Sequence, residues 1–265
     1  MSYLEKLFGL EGKVAIVTGG NGCLGTEYVK ALTSAGAKVA VFDIQEELNN
    51  TLKDLSDVKY YKVDVTNPNS LKSGLEAVEK DLGVPGVLVN NAALDNPPST
   101  TSENTKSFEA YPLEIWEQVV RVNLTGVFLA NQVIGSRMAE NKKGSIINIC
   151  STYGLVSPDQ RIYESMPFKF VKPISYSATK SAILNLTRYL ATYWAKSGVR
   201  VNTLSPGGVL NNQDENFVKA YGDKTPLGRM ANKDEYNGAI VFLASEASSY
   251  MTGANLVIDG GWTAW

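Results

Sequence analysis

Residues Val14-Ala-Ile-Val-Thr18 run directly into Gly19-Gly-Asn-Gly-Cys-Leu-Gly25, and Thr26 to Ala35 then read as a helix ending near Gly36. A β-rich run, a glycine turn and a helix in that order make the opening of a strand-helix-strand unit. That opening commits the chain to a sheet with crossover helices. The glycines fit two registers. Gly20-x-Gly22-x-x-Gly25 matches G-x-G-x-x-G, while Thr18-Gly19-x-x-x-Cys23-x-Gly25 matches T-G-x-x-x-G-x-G with cysteine at the middle glycine. In either register, N–H groups and the positive dipole end of the helix converge where a pyrophosphate binds. The plainer alternative is a tight turn that binds nothing.

The rest of the chain repeats the alternation. Val39 to Asp43 is a second strand, with a charged helix expected after it. Val58 to Val63 is a third strand, and a helix from Pro68 to Leu82 places proline in its first turn. Val87 to Asn90 is the fourth strand, Leu113 to Met138 a long helix, and Ser145 to Ile149 the fifth strand. A second long helix, Ile174 to Lys196, ends at Gly198, and Val199 to Leu204 follows as the sixth strand. Asn232-x-x-Glu235 reads as a capping box opening a helix to Ala244, and Asn255 to Ile258 is the last strand. Several strands are apolar at consecutive positions, as expected where helices cover both faces. The fold class is therefore α/β: a single Rossmann-type, doubly wound domain over residues 1–265, with an approximately seven-stranded parallel sheet. Three interruptions, at 95–112, 157–173 and 209–226, follow strand ends on the carboxyl side of the sheet, where ligands bind in this architecture.

Composition narrows the chemistry. The chain has no histidine, which removes Ser-His-Asp triads, Cys-His pairs and histidine metal sites. No metal is expected. A formal net charge of -2 gives no reason to expect nucleic acid or an anionic membrane as partner. No apolar run is long enough to span a bilayer, and the start of the chain does not read as a signal peptide. The two cysteines, Cys23 and Cys150, give no disulfide framework, so a reducing cytoplasm is the expected location.

Two further features carry chemistry. Asp43 closes the second strand, where a carboxylate bonds the adenosine ribose hydroxyls and repels a 2′-phosphate. No lysine or arginine lies between Gly19 and Gly25, and Ile44 follows Asp43, so NAD is expected over NADP. Tyr176-Ser-Ala-Thr-Lys180 places a phenol and an ammonium on one helix face. A phenol near its ordinary pKa of about 10 accepts a proton poorly at neutral pH. Positive charge from Lys180 and an oxidised nicotinamide is expected to acidify it. Alone, the Tyr/Lys pair reads equally as an exposed helix pair.

Together these motifs resemble the short-chain dehydrogenase/reductase family over nearly the whole chain. Thr18-Gly19 and Gly25 match its cofactor loop, which settles the register and puts Cys23 at the middle glycine. Asp64-Val65 matches its Asp-Val pair beside the adenine, and Asn90-Asn91-Ala92-Ala93 matches N-N-A-G with the last glycine replaced. The resemblance implies catalytic roles for Asn123, Ser151, Tyr176 and Lys180. Its implied cofactor loop comprises Gly19, Asn21, Gly22, Cys23, Leu24 and Gly25. Asp43, Ile44, Asp64 and Val65 follow on the adenosine side. Asn91, Ala92, Ala93, Pro206, Gly207 and Val209 join Tyr176 and Lys180 toward the nicotinamide. Asn211 stands where the family usually has threonine, and is expected to reach the nicotinamide amide. Cys23 is expected to crowd the pyrophosphate modestly without abolishing binding.

The implied reaction is hydride transfer between NAD and a secondary alcohol or ketone. The segment between Ser151 and Tyr176 is longer than the family usually has. Its polar residues, with Arg161, Lys169 and Lys172 available and the first two as phosphate candidates, point to a hydroxylated, sugar-like substrate. A short stretch also resembles a flagellin-modification and surface-sugar branch of the family. Alternatives are an NAD-binding sensor or scaffold without turnover, and a 3-ketoacyl reductase. The resemblance implies a homotetramer or homodimer packed through the two long helices, with Leu186, Leu190, Tyr193 and Trp194 as contact residues.

Overall fold

In the computed structural model, which describes residues 2–95, 107–164 and 170–265, one seven-stranded sheet has the order β3-β2-β1-β4-β5-β6-β7. The strands are β1 (Val14–Thr18), β2 (Lys38–Asp43), β3 (Val58–Lys62), β4 (Val87–Asn90), β5 (Gly144–Ile149), β6 (Val199–Pro206) and β7 (Asn255–Ile258), and every pairing is parallel. The order reverses between β1 and β4. A crevice opens there at the carboxyl ends of the strands.

The apolar strands are buried on both faces. In β1, Ala15 and Val17 face one cluster with Tyr28, Leu32, Ile240 and Leu243. Val14 and Ile16 face the other, with Leu71, Ile134, Met138 and Trp194. This period of two is the pleat itself. The first cluster is covered by helices α2 (Cys23–Ser34) and α7 (Asn237–Ala244). The second is covered by α3 (Pro68–Asp81), α4 (residues 113–140) and α5 (Ile174–Trp194). Doubly wound α/β architecture is thus present as expected.

Several local expectations need correction. No helix follows β2; a single 3-10 turn, Asn50–Leu52, stands there. Asn21 explains it: its amide donates to the Glu47 carbonyl at 2.8 Å and its oxygen accepts the Asn49 N–H at 2.9 Å. Those backbone groups are taken from any helical ladder. α2 begins at Cys23 rather than Thr26. The interruption at 209–226 contains a helix, α6 (Glu215–Lys224), capped by Asp214 through the Asn216 and Phe217 N–H groups. A short helix α1 (Tyr3–Phe8) was also unforeseen, although Ser2 and Glu5 form its capping box. Asn232 and Glu235 open only a turn. Glu235 accepts the Asn232 N–H at 2.7 Å but is also held by Arg229, and α7 starts at Asn237. α4 is continuous, with wide π turns at Arg121–Gly126 and Asn131–Gly135.

Candidate active site

The glycine loop is stitched to β4 across the switch point. The Thr18 hydroxyl accepts the N–H groups of Asn91 and Ala92, both at 3.1 Å. The Asn91 amide donates to the carbonyls of Thr18 at 3.2 Å and Gly19 at 3.0 Å. Gly19 has φ +62, and a Cβ there would lie 2.8 Å from the Ala92 Cα. A Cβ on Gly25 would lie 2.1 Å from the Gly19 carbonyl oxygen. These two positions admit only glycine without backbone movement. Gly22 caps α2, and no described side chain caps that helix start. The first-turn N–H groups, with Cys23 exposed among them, therefore offer the donor set a pyrophosphate takes.

The adenosine side is more heavily committed than the sequence implied. Asp43 is buried, and its oxygens accept the Asn21 N–H at 3.1 Å and the Gln45 N–H at 3.2 Å. A carboxylate has lone pairs left for ribose hydroxyls after two such bonds. Asn21 is buried and spends its amide on the 45–49 loop, so its part is to fasten the loop. Ile44 is exposed beside Asp43. Asp64 turns its carboxylate to Thr66 at 2.8 Å, and Val65 is buried against Gly126.

At the carboxyl end of β5, Ser151 and Tyr176 meet. Both line a cavity of about 490 Å³, and Ser151 lies near enough to offset part of the rise that burial gives the Tyr176 phenol. The Ser151 hydroxyl also accepts the Tyr153 N–H at 3.2 Å. Lys180, one turn along α5, is buried. Its ammonium lies 5.7 Å from the Tyr176 ring centre and donates to the Ile149 carbonyl at 2.8 Å. Asn123 sits in the first π turn of α4 with its side chain fully turned inward. It accepts the Leu94 N–H at 2.7 Å and donates to the Leu94 carbonyl at 2.9 Å. Widened turns of this kind recur at functional sites. Pro206, Gly207 and Val209 line the same cavity, with Leu24 of the glycine loop at its edge.

The electrostatics of the phenol are set first by burial. Burial, and then the Asp95 carboxylate, push the Tyr176 phenol above its ordinary value; the Ser151 hydroxyl opposes them without winning. Burial also pulls the Lys180 ammonium down, to about 8, which leaves it charged at neutral pH.

The cavity wall corrects one expectation. The described part of the 157–173 segment gives the cavity aromatic rings rather than free cations. Tyr153 and Tyr163 share a hydroxyl-hydroxyl hydrogen bond of 3.0 Å. Tyr163 packs on Phe170 and Phe217 with ring centres 5.2 and 5.3 Å apart. Tyr221 of α6 accepts the Gly208 N–H at 2.6 Å and stacks on Trp262. Arg161 forks onto Asp159 at 2.8 and 2.7 Å, so it is no free phosphate ligand. Lys169 lies outside the described residues. Asn211 is exposed and gives its N–H to Gln213, and Gln213 lines the cavity instead. Two lining residues were missed as site residues, Asp95 and Lys172. The one signal for Asp95 was its place two residues after Asn90-Asn91-Ala92-Ala93. Lys172 looked like any loop lysine.

The comparisons agree with this fold. The family described as enoyl-(acyl carrier protein) reductase matches residues 20–263. A 3-alpha-(or 20-beta)-hydroxysteroid dehydrogenase of Mycobacterium tuberculosis is 37% identical over 96% of this chain and 91% of its own. A sorbose reductase of Candida albicans is 33% identical over 97% of this chain and 89% of its own. A short chain dehydrogenase structure from Leptospira borgpetersenii with bound NAD+ superposes with TM-score 0.87 and 34% identity, covering 99% and 96% of the two chains. A gluconate 5-dehydrogenase from Burkholderia cenocepacia, in complex with NADP and tartrate, gives TM-score 0.86 at 29% identity, covering 99% and 100%.

Proposed function

The chain belongs to the short-chain dehydrogenase/reductase family, and from that premise we propose that it interconverts a secondary alcohol and a ketone on a hydroxylated, sugar-like substrate, with NAD preferred. The observation that carries the reading is the meeting of Ser151 and Tyr176 in one cavity beside the glycine loop, with the buried Lys180 ammonium 5.7 Å from the Tyr176 ring centre. A bound nicotinamide dinucleotide supplies the hydride acceptor or donor. Tyr176 takes the hydroxyl proton in oxidation and returns it in reduction. Ser151 hydrogen-bonds the substrate oxygen and orients the phenol. Lys180 holds positive charge behind the ring. Asn123 is a positioning residue: by clamping Leu94 it fixes the chain that leads from the glycine loop's neighbour into the cavity.

The sorbose reductase relative supports a sugar-like substrate. The aromatic wall suits the C–H face of a sugar ring, with Tyr hydroxyls, Gln213 and Asp95 available for its hydroxyls. The same wall favours a second reading, an alcohol on an apolar ring, as the name of the hydroxysteroid dehydrogenase relative describes for that protein. NAD is preferred because Asp43 would meet a 2′-phosphate as like charge. We further propose one domain over residues 1–265, a cytoplasmic location, and assembly as a homotetramer or homodimer.

Turnover of sugars, polyols and hydroxysteroids, each with NAD and NADP, tests the reading. The expected result is activity on sugars or polyols with kcat/KM at least about tenfold higher for NAD, the scale set by one charge repulsion in a site. Preference for NADP contradicts the role given to Asp43, and turnover of steroids alone replaces the substrate class.

A further inference from the structure

The cavity wall beside Tyr176 holds an ion pair that proton transfer does not use. Lys172 is buried at 9% exposure, and its ammonium lies 4.9 Å from the Tyr176 ring centre and 5.9 Å from that of Tyr153. The Asp95 carboxylate pairs with it, yet 55% of the Asp95 side chain stays open. Both residues line the cavity. Each is held from behind. Asn123 clamps both backbone groups of Leu94, next to Asp95. Gln160 accepts the Lys172 N–H at 2.9 Å and donates to its carbonyl at 3.3 Å.

The charges nearby are already matched. Asp159 engages Arg161 and Lys224, and Glu235 engages Arg229. Among the described residues that line the cavity, Lys172 is the one cation, and it is paired. Among those described residues a substrate carboxylate would find no unpaired cation, and it would meet the Asp95 charge. A neutral substrate with neighbouring hydroxyls would find a fixed carboxylate with spare lone pairs.

We propose that Asp95, positioned by Lys172, sets the substrate class of this site: it accepts hydrogen bonds from adjacent hydroxyls of an uncharged polyol or ketose and turns away sugar acids. This rests on the alcohol/ketone reading above. Asp95 is a specificity-determining residue that touches substrate, and Lys172 is a positioning residue that acts through it.

The test uses the full chain with threitol and gluconate oxidised by NAD, and sorbose reduced by NADH. Wild type should favour threitol and sorbose over gluconate by at least about tenfold in kcat/KM, the scale of one charge-assisted contact. Asp95→Asn should raise KM for the neutral pair about tenfold or more, with kcat changed less. It should also raise kcat/KM for gluconate, because the Lys172 ammonium loses its partner. Lys172→Met should weaken the neutral substrates without any gain on gluconate. Ratios within one variant cancel its active-enzyme concentration, so a merely structural defect would lower all three substrates together. A neutral-to-gluconate ratio in Asp95→Asn within twofold of wild type, or a wild type that prefers gluconate, overturns the proposal and leaves the alcohol/ketone reading standing. Turnover of none of the three, against turnover of a hydroxysteroid, overturns the sugar reading and this proposal with it.

Discussion

The ammonium of Lys180 is buried with the Ile149 carbonyl as its acceptor at 2.8 Å, and burial pulls its pKa down to about 8. The unfolded value is about 10.4. Between these, the unfolded chain still holds a proton that the folded chain has released, so this residue adds stability as pH rises from about 8 to 10.4 and none of that gain is present below about 8. The difference in unfolding free energy between wild type and Lys180→Met should therefore move in favour of wild type across that window, by on the order of 3 kcal/mol. Denaturant melts at several pH values read this directly, and a difference that stays flat would contradict the burial of the charge. Cys23 poses a second residue-scale question. Its exposed side chain starts α2 beside Gly22, where the pyrophosphate donors lie. Cys23→Gly should tighten NAD binding a few-fold by titration calorimetry. Unchanged or weaker binding would show that the thiol does not crowd the nucleotide. The Tyr176–Lys180 pairing was legible from spacing alone. The direction of the Tyr176 shift was not, because burial and Asp95 reach the phenol through tertiary structure.

At the scale of elements, the strands were read well and the loops poorly, for a physical reason. Apolar runs such as Val87–Asn90 declare themselves because both faces of the sheet are covered. The 44–57 and 209–226 segments depend on particular side-chain contacts rather than on an apolar pattern. Asn21 fastens the first, and Asp214 together with the packing of Tyr221 against Trp262 builds the second. A buried polar ladder also escaped notice. The Asn148 oxygen accepts from Asn90 at 2.8 Å and Asn131 at 3.3 Å, and its amide donates to Thr187 at 2.9 Å. Thr203 continues the chain to Thr187 at 2.8 Å. This ladder ties β4, α4, β5, α5 and β6 together just below the cavity. Asn148→Leu leaves those groups unpaired in the core and should cost about 2–5 kcal/mol, visible as a lower denaturant midpoint. A loss under about 1 kcal/mol would mean the neighbours find other partners.

Over the whole molecule, the strand ends and the glycine turn bring Leu24, Ser151, Tyr176, Pro206 and Gly207 to one cavity, and that much was legible from the sequence. The identity of the cavity wall was not, because Tyr153, Tyr163 and Tyr221 come from three separate segments. The contact residues expected between subunits also divide: Leu190 and Trp194 are buried in the core and Leu186 packs half-buried against it, while Tyr193 is exposed and stacks on Tyr189. Among the described residues no helix is long and apolar enough to cross a membrane. The central claim is that the Tyr176 hydroxyl moves the proton that accompanies hydride transfer. Tyr176→Phe tests it most directly, with NAD binding and turnover measured on the same preparation. The account predicts turnover lowered at least about a hundredfold with NAD affinity nearly unchanged. Turnover within tenfold of wild type would contradict it.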